Sequence, residues 1–150
     1  MNRTQTVGLI SELAFTKRCI ELGLEVLAPI GVERYDIIIV LGGGLQRVQV
    51  KTGRVDDGSI RFNTCSNAEG VGRPRGYDGD ADLIGVYAPA LQTSYLLPLA
   101  DCAKGKARLR LDPLRNAHSR GIRWASDFEI TTTIARLTLA TTRSAARPNE

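Results

Sequence analysis

The sequence has few sulfur and imidazole side chains, which removes several kinds of site from consideration. Its 150 residues include three cysteines and one histidine. Cys19, Cys65 and Cys102 are widely separated and odd in number, so we expect reduced thiols rather than a disulfide framework. Because the cysteines are far apart and His118 is the one histidine, we do not expect a Cys/His zinc centre.

Long apolar runs and a strong charge imbalance are missing as well. No stretch approaches the roughly 20 apolar residues that cross a bilayer, and the first residues lack the basic and apolar regions of a signal peptide. We therefore expect a cytoplasmic protein with no membrane partner. The formal net charge of +4 permits a polyanionic partner without requiring one. The length fits a single domain over residues 1–150.

The first part of the chain predicts an amphipathic helix. Apolar residues recur at near-helical spacing from Val7 to Leu22. Thr4 or Thr6 is placed to cap its start, and Gly23 is placed to end it. The apolar stripe of this helix consists of Val7, Ile10, Leu13, Ala14 and Ile20.

The region after this helix predicts a series of strands. The next predicted strand is Tyr35 to Leu41, in which residues 37–41 are apolar without alternation, a pattern typical of a strand covered on both faces. Gly42 to Gly44 supplies a tight reversal, and Leu45 to Thr52 then alternates. Further strands are predicted at Glu25 to Pro29, Ser59 to Thr64, Ala81 to Tyr87 and Ser94 to Leu97. The glycine-rich segment from Asn67 to Asp80 is predicted to be a surface loop, and residues 131–150 a short helix or strand followed by a loosely ordered tail.

A few polar residues stand where burial would favour apolar ones. Asp36 opens the apolar strand, and Gln49 and Lys51 share one face of the alternating strand. Carboxylate and carbonyl oxygens suit a hard cation such as Mg²⁺, which assists phosphodiester hydrolysis. We expect Asp36 to be the main ligand, with the Gln49 side chain and the Val50 main-chain carbonyl as weaker ones. Glu12 would be an outer-shell or second-metal ligand, and Lys51 would orient water or stabilise charge on the phosphate.

Each of these residues also has an ordinary structural explanation. Taken alone, Asp36 is a capping residue, Glu12 a solvated charge, and Gln49 with Lys51 the wet face of an edge strand. Their combination and order favour the metal site. Gly42 to Gly44 is not followed by the Gly-Lys-Ser/Thr of a phosphate loop, which favours a hairpin turn.

Glu12, Asp36 and Gln49-Val50-Lys51 resemble the motif of the PD-(D/E)XK nuclease superfamily. Within it, the chain is similar to small endonucleases that include intron-encoded homing enzymes and archaeal Holliday junction resolvases, over roughly residues 7–128. The resemblance implies an α/β fold with a restriction-endonuclease-like core, a central mixed β-sheet flanked by helices. It also implies metal binding at Glu12, Asp36 and Gln49, and a catalytic role for Lys51. Two departures are Tyr35 in place of the usual proline and Gln49 in place of the usual acid; the second bears on metal affinity more than on fold.

These observations predict a Mg²⁺-dependent endonuclease acting on double-stranded DNA, with Mn²⁺ as a possible substitute. A site-specific homing-type enzyme is the first choice, a junction resolvase the second, and an inactive DNA-binding module of the same fold the third. One active site per chain implies a homo-oligomer, a dimer or a tetramer, for cutting both strands. The basic stretch after Lys104 is either solvated surface or a set of phosphate contacts. The residues predicted to contact DNA are Arg73, Arg75, Lys104, Lys106, Arg115, Arg120 and Arg123.

Overall fold

A computed structural model describes residues 1–66, 73–113 and 120–146. Helix α1 (Arg3–Glu21) comes first, and α2 (Ile130–Ala145) comes last. The strands between them are β1 (Val26–Leu27), β2 (Ile37–Leu41), β3 (Gly44–Thr52), β4 (Arg54–Asp56), β5 (Ser59–Asn63), β6 (Cys65–Ser66), β7 (Arg75–Gly76), β8 (Leu83–Ala88), β9 (Thr93–Pro98) and β10 (Lys106–Arg110). Short 3₁₀ helices lie at Leu99–Asp101 and Ala125–Phe128.

The central sheet is mixed and has β3 in its middle. Its strand order is β1-β2-β3-β8-β9, in which β3 and β8 are parallel and the other neighbours antiparallel. Gly42 and Gly43 form the turn between β2 and β3 with φ of 58° and 78°, values that glycine adopts without steric cost. The predicted hairpin, the strands on either side of it and the mixed α/β class are confirmed.

An ion pair fixes the parallel pairing of β3 with β8. Asp82 accepts from the Arg47 main chain (2.8 Å) and from its guanidinium (3.0 and 3.1 Å), and the Asp82 amide donates back to the Arg47 carbonyl. The hydrogen bond from the Arg47 side chain is the main reason that the pKa of Asp82 lies below its usual range. This contact sets the register in which Lys51 lies beside Val86.

The two faces of the central sheet are covered differently. Both helices pack on one face, where Phe15 and Cys19 of α1 and Ile130 of α2 are buried against the sheet. A second sheet of order β10-β5-β4 covers the other face. Gly53 connects β3 of the central sheet to β4 of the second sheet. The two sheets are close together here, because a side chain at this position would come within 2.6 Å of Ile60 and 2.8 Å of Val86.

Helix α1 buries a different face from the predicted one. It starts earlier, at an Asn2 N-cap whose capping box includes Gln5, and Leu22 and Gly23 end it. Its buried residues are Ser11, Phe15 and Cys19. The predicted apolar stripe lies mostly in solvent, with exposures of 37% for Val7, 54% for Ile10, 60% for Leu13 and 60% for Ile20. The prediction was wrong because Phe15 fits against Gly85 of β8, and this contact outweighs the more numerous aliphatic side chains.

Other predictions need smaller corrections. Strand β2 alternates between buried and half-buried positions, so it is less covered than its apolar run indicates, whereas β8 is buried on both faces. The predicted loop at 67–80 contains β7, which pairs with β6. Residues 130–145 form the helix α2, and residues 147–150 lie outside the described part of the chain. Within the described ranges, no helix is long and apolar enough to cross a membrane.

Two glycine-to-alanine substitutions, one of them at the contact between Phe15 and Gly85, should change the stability in opposite directions. Gly85→Ala would place a methyl group 2.6–2.9 Å from the fully buried Phe15 ring. We expect it to lower the free energy of unfolding by about 1–3 kcal/mol through overpacking. Gly8→Ala, with no atom within 4 Å of the added methyl group, should raise it by about 0.5–1 kcal/mol through helix propensity.

Urea denaturation of both variants measures these changes. Phe15→Leu should recover part of the loss in the Gly85→Ala background, since the two sites are in contact. Strictly additive effects of the two substitutions would contradict the packing argument.

Candidate active site

The Asp36 carboxylate is tied to the strand beside it. Asp36 directly precedes β2, and its amide donates to the Val48 carbonyl of β3 at 2.9 Å. Its Oδ2 accepts from the Val50 amide and from the Gln49 side-chain nitrogen, each at 2.6 Å. Within the described ranges Oδ1 accepts no hydrogen bond, which leaves this oxygen available to a cation.

Burial and hydrogen bonds act in opposite directions on this carboxyl group. Burial raises the pKa of Asp36 above its usual range, and this effect prevails. The Val50 amide, the Lys51 ammonium and the Gln49 amide lower the pKa. The ionised form is therefore costly in the folded protein, and a cation at Oδ1 would offset that cost.

The orientation of Gln49 follows from its contact with Asp36. Only the amide nitrogen of a glutamine can donate to a carboxylate, so the nitrogen faces Asp36, and the carbonyl oxygen accepts no hydrogen bond from any described residue. Gln49 and Lys51 lie on one face of β3, and Val48 and Val50 are buried on the other, as predicted.

Glu12 reaches the same region from the helix layer. The Ser11 hydroxyl lies 2.7 Å from the Thr52 hydroxyl, which holds this turn of α1 at the end of β3. Glu12 is half-buried, and its pKa is raised first by burial and then by the Asp36 carboxylate. The structure thus brings Glu12 and Asp36 close enough to interact, although they come from different elements.

Lys51 is held by a tyrosine that the sequence did not single out. Its ammonium donates to the Tyr77 hydroxyl at 2.6 Å, and Tyr77 is 4% exposed. The Arg34 guanidinium stacks 4.9 Å from the centre of the Tyr77 ring and is fixed by Asp80 at 2.7 Å. The one signal in the sequence is that Tyr77 is the only aromatic residue of its glycine-rich segment.

The donor set fits a hard divalent cation. Two carboxylates, the free carbonyl of Gln49 and the Val50 carbonyl are all oxygen donors, and Mg²⁺ sites commonly use one or two carboxylates with water and substrate oxygens. No group of three His, Cys, Asp or Glu side chains lies together in the described ranges, so the site has fewer acids than an all-protein cage.

Most of the residues predicted to contact DNA are exposed in the described part of the chain. Arg73, Lys104, Arg120 and Arg123 are exposed. Arg75 is exposed in β7 and lies 3.4 Å from Asp80. Lys106 starts β10 and points outward, and Arg115 lies outside the described residues.

The comparisons with known proteins agree with this geometry. A search of curated proteins finds no match. Among solved structures, the chain is similar to a bacterial homing endonuclease, I-Ssp6803I, with a TM-score of 0.67 at 21% sequence identity. The alignment covers 97% of this chain and 98% of that one, and at this identity it establishes the fold. A family model described as PD-(D/E)XK endonuclease matches residues 2–131, well over half of the chain. The chain therefore belongs to the PD-(D/E)XK endonuclease family.

Proposed function

We propose that this protein is a divalent-metal-dependent DNA endonuclease with its active centre at Asp36, Gln49 and Lys51. The observation that carries the proposal is the Asp36 carboxylate, bonded to the strand segment that presents both of the other side chains. Mg²⁺ is the expected metal and Mn²⁺ a possible substitute, because the donors are all oxygens. A cytoplasmic location remains a prediction.

Asp36 and Gln49 would hold the cation through the Asp36 Oδ1 and the Gln49 carbonyl. The Val50 main-chain carbonyl would be a further ligand, and Glu12 an outer-shell or second-metal ligand. A bound divalent cation supplies charge for the scissile phosphate and makes water more acidic. The hydrogen bond between Gln49 and Asp36 directs both free oxygens before any ligand arrives.

Lys51 would act on the phosphate and on the attacking water. An ammonium has three N–H donors, and one of them is directed to Tyr77. Two donors remain for a phosphate oxygen and a water. The Lys51 ammonium also acts on Asp36, because its charge lowers the pKa of that carboxyl group.

A site-specific homing-type activity on double-stranded DNA is our first choice. The end-to-end likeness to a protein described as a homing endonuclease supports it. With one such centre per chain, cutting both strands calls for a homo-oligomer, and we propose a dimer or a tetramer.

A Holliday junction resolvase is the second candidate. A resolvase reads shape, whereas a homing enzyme reads bases. We expect this protein to cut linear duplexes at a defined sequence and to leave four-way junctions of arbitrary sequence intact. Gel analysis of both substrates, with Mg²⁺ and with EDTA, measures this, and preferential cutting of junctions of any sequence would favour the resolvase.

An inactive DNA-binding module is the third candidate, and Gln49 is the observation that favours it. A neutral amide in place of an acid weakens cation binding. Calorimetry with Mg²⁺ and Mn²⁺ discriminates, since DNA affinity without any metal binding would support the inactive module.

Asp36→Asn should separate catalysis from stability. We expect plasmid nicking to fall on the order of 100-fold or more, because a charged ligand is lost. Since the folded-state pKa of Asp36 is raised, the carboxylate costs stability once ionised. The variant should therefore melt at or above the wild-type temperature near neutral pH, and this advantage should shrink as pH falls through the folded pKa and the wild-type carboxyl group becomes protonated.

Nicking assays and melting curves from acid to neutral pH test both parts. Lys51→Ala should also lose nicking, whereas the exposed Asp101→Asn is the matched control and should retain it. Full nicking by both Asp36→Asn and Lys51→Ala would remove the site assignment.

Tyr77→Phe tests whether the tyrosine positions Lys51. The variant removes the hydroxyl that accepts a hydrogen bond from the Lys51 ammonium. We expect kcat to fall roughly 10- to 100-fold, with KM changed about twofold or less. Tyr95→Phe is the matched control, because Tyr95 is buried to the same degree but belongs to β9. Both variants should lose similar stability, and an equal loss of kcat in both would show that the effect of Tyr77 is only structural.

A further inference from the structure

The second sheet carries a row of three arginines, none of which is among the residues predicted from the sequence to contact DNA. Arg61 of β5 lies directly opposite Arg108 of β10 on one side and Arg54 of β4 on the other. All three residues are exposed. Neighbouring strands are about 4.8 Å apart, so the row extends roughly 10 Å across the sheet.

The arginine side chains of β5 and β10 point away from the core, because the other face of these strands is buried. Ile60 and Phe62 of β5 and Ala107 and Leu109 of β10 are buried in the core shared with the central sheet. Because side chains alternate along a strand, Arg61 and Arg108 must point away from that core. Lys106 and Arg110 share the outer face of β10 with Arg108.

The charges of the row are only partly compensated. Like charges directly opposite each other on paired strands are destabilising. Arg61 is paired with Asp56 at 2.9 Å, whereas neither Arg54 nor Arg108 makes an ion pair with any residue in the described ranges. The acids of this sheet are Asp56, the last residue of β4, and Asp57, in the turn that follows it.

The row begins beside the proposed active centre. Strand β3 passes through Gly53 into β4, so three residues of extended chain, at most about 10 Å, separate the Lys51 and Arg54 backbones. The amide of Gly53 donates to the Tyr87 carbonyl at 2.7 Å, which fixes this junction to the central sheet. A DNA strand bound at Lys51 would need to extend only about 10 Å to reach Arg54.

We propose that Arg54, Arg61 and Arg108 bind the phosphate backbone of the DNA segment next to the scissile bond. This inference rests on the proposed endonuclease function. One DNA strand carries a charge about every 3.4 Å of helix axis, so a row of about 10 Å is long enough to contact a few successive phosphates. Arginine binds phosphate through paired N–H donors, and such contacts position DNA without reading its sequence. The polyanion would also relieve the repulsion within the row.

The salt dependence of DNA binding tests this proposal. The row variant is R54Q/R61Q/R108Q, and the control is K17Q/R18Q/R143Q, which removes the same charge from helices on the other face of the central sheet. Fluorescence anisotropy, in EDTA so that no cleavage intervenes, gives affinities for labelled duplexes of two unrelated sequences between about 0.05 and 0.2 M salt.

The expected result is a smaller salt slope for the row variant alone. The slope of log affinity against log salt should fall by about 2.7, at about 0.9 for each lost phosphate contact. At about 0.15 M salt the affinity should fall on the order of 100-fold, equally for both sequences. Arg54→Gln and Arg108→Gln, which break no ion pair, should each lower the slope by about 0.9 if the triple variant does not fold.

Equal slopes for the row variant and the control, or absence of wild-type binding, would overturn the inference. Cleavage of plasmid by the wild type with Mg²⁺, and its loss in Lys51→Ala, is measured on the same preparations. Retained cleavage with an unchanged slope removes the arginine row and leaves the endonuclease in place. A reduced slope without any cleavage supports the backbone contact and removes the proposed catalytic function.

Discussion

The arrangement of this site depends on the carboxylate of Asp36, which accepts two short hydrogen bonds from β3. One bond comes from the Val50 amide, which lies just beyond the last residue pair of β2 and β3 and has the carboxylate as its acceptor. The other orients Gln49. A single oxygen thus fixes both the strand and the Gln49 side chain, and the second oxygen of the carboxylate accepts no hydrogen bond from any described residue. Burial of the carboxylate raises its pKa, so its ionised form costs stability in the folded protein.

Two further contacts bring the other groups to this centre. The close fit of Phe15 against Gly85 holds α1 on the central sheet, and Glu12 lies three residues before Phe15, about one turn away. Tyr77 lies near the end of the glycine-rich segment, and its hydroxyl accepts a hydrogen bond from the Lys51 ammonium. The site therefore draws on three separate parts of the chain, and the helix is positioned both by the packing of Phe15 on Gly85 and by the Ser11–Thr52 hydrogen bond.

Some of this was predictable from the sequence, and the reasons differ by element. The β2–β3 hairpin was predictable because apolar runs, alternation and Gly42–Gly43 all act over short sequence distances. From the resemblance, the order of Glu12, Asp36, Gln49 and Lys51 pointed to the family. The buried face of α1 was not predictable, since one close contact with a glycine about 70 residues later in the chain outweighed four exposed aliphatic side chains. Tyr77 and the arginine row were also missed, because long-range contacts and cross-strand register decide their positions.

The parallel pairing of β3 with β8 has a consequence for the order in which the molecule assembles. The hairpin that places Asp36 beside Gln49 joins neighbouring stretches of the chain, and such local closure is fast. Val48 instead meets Leu83 across a long intervening segment, and pairing of this kind slows folding. We therefore expect the carboxylate and the amide to meet early on the folding pathway, while the lysine acquires its tyrosine partner only after β8 has docked. A partly folded chain would then contain the acidic half of the site before its ammonium is held in place.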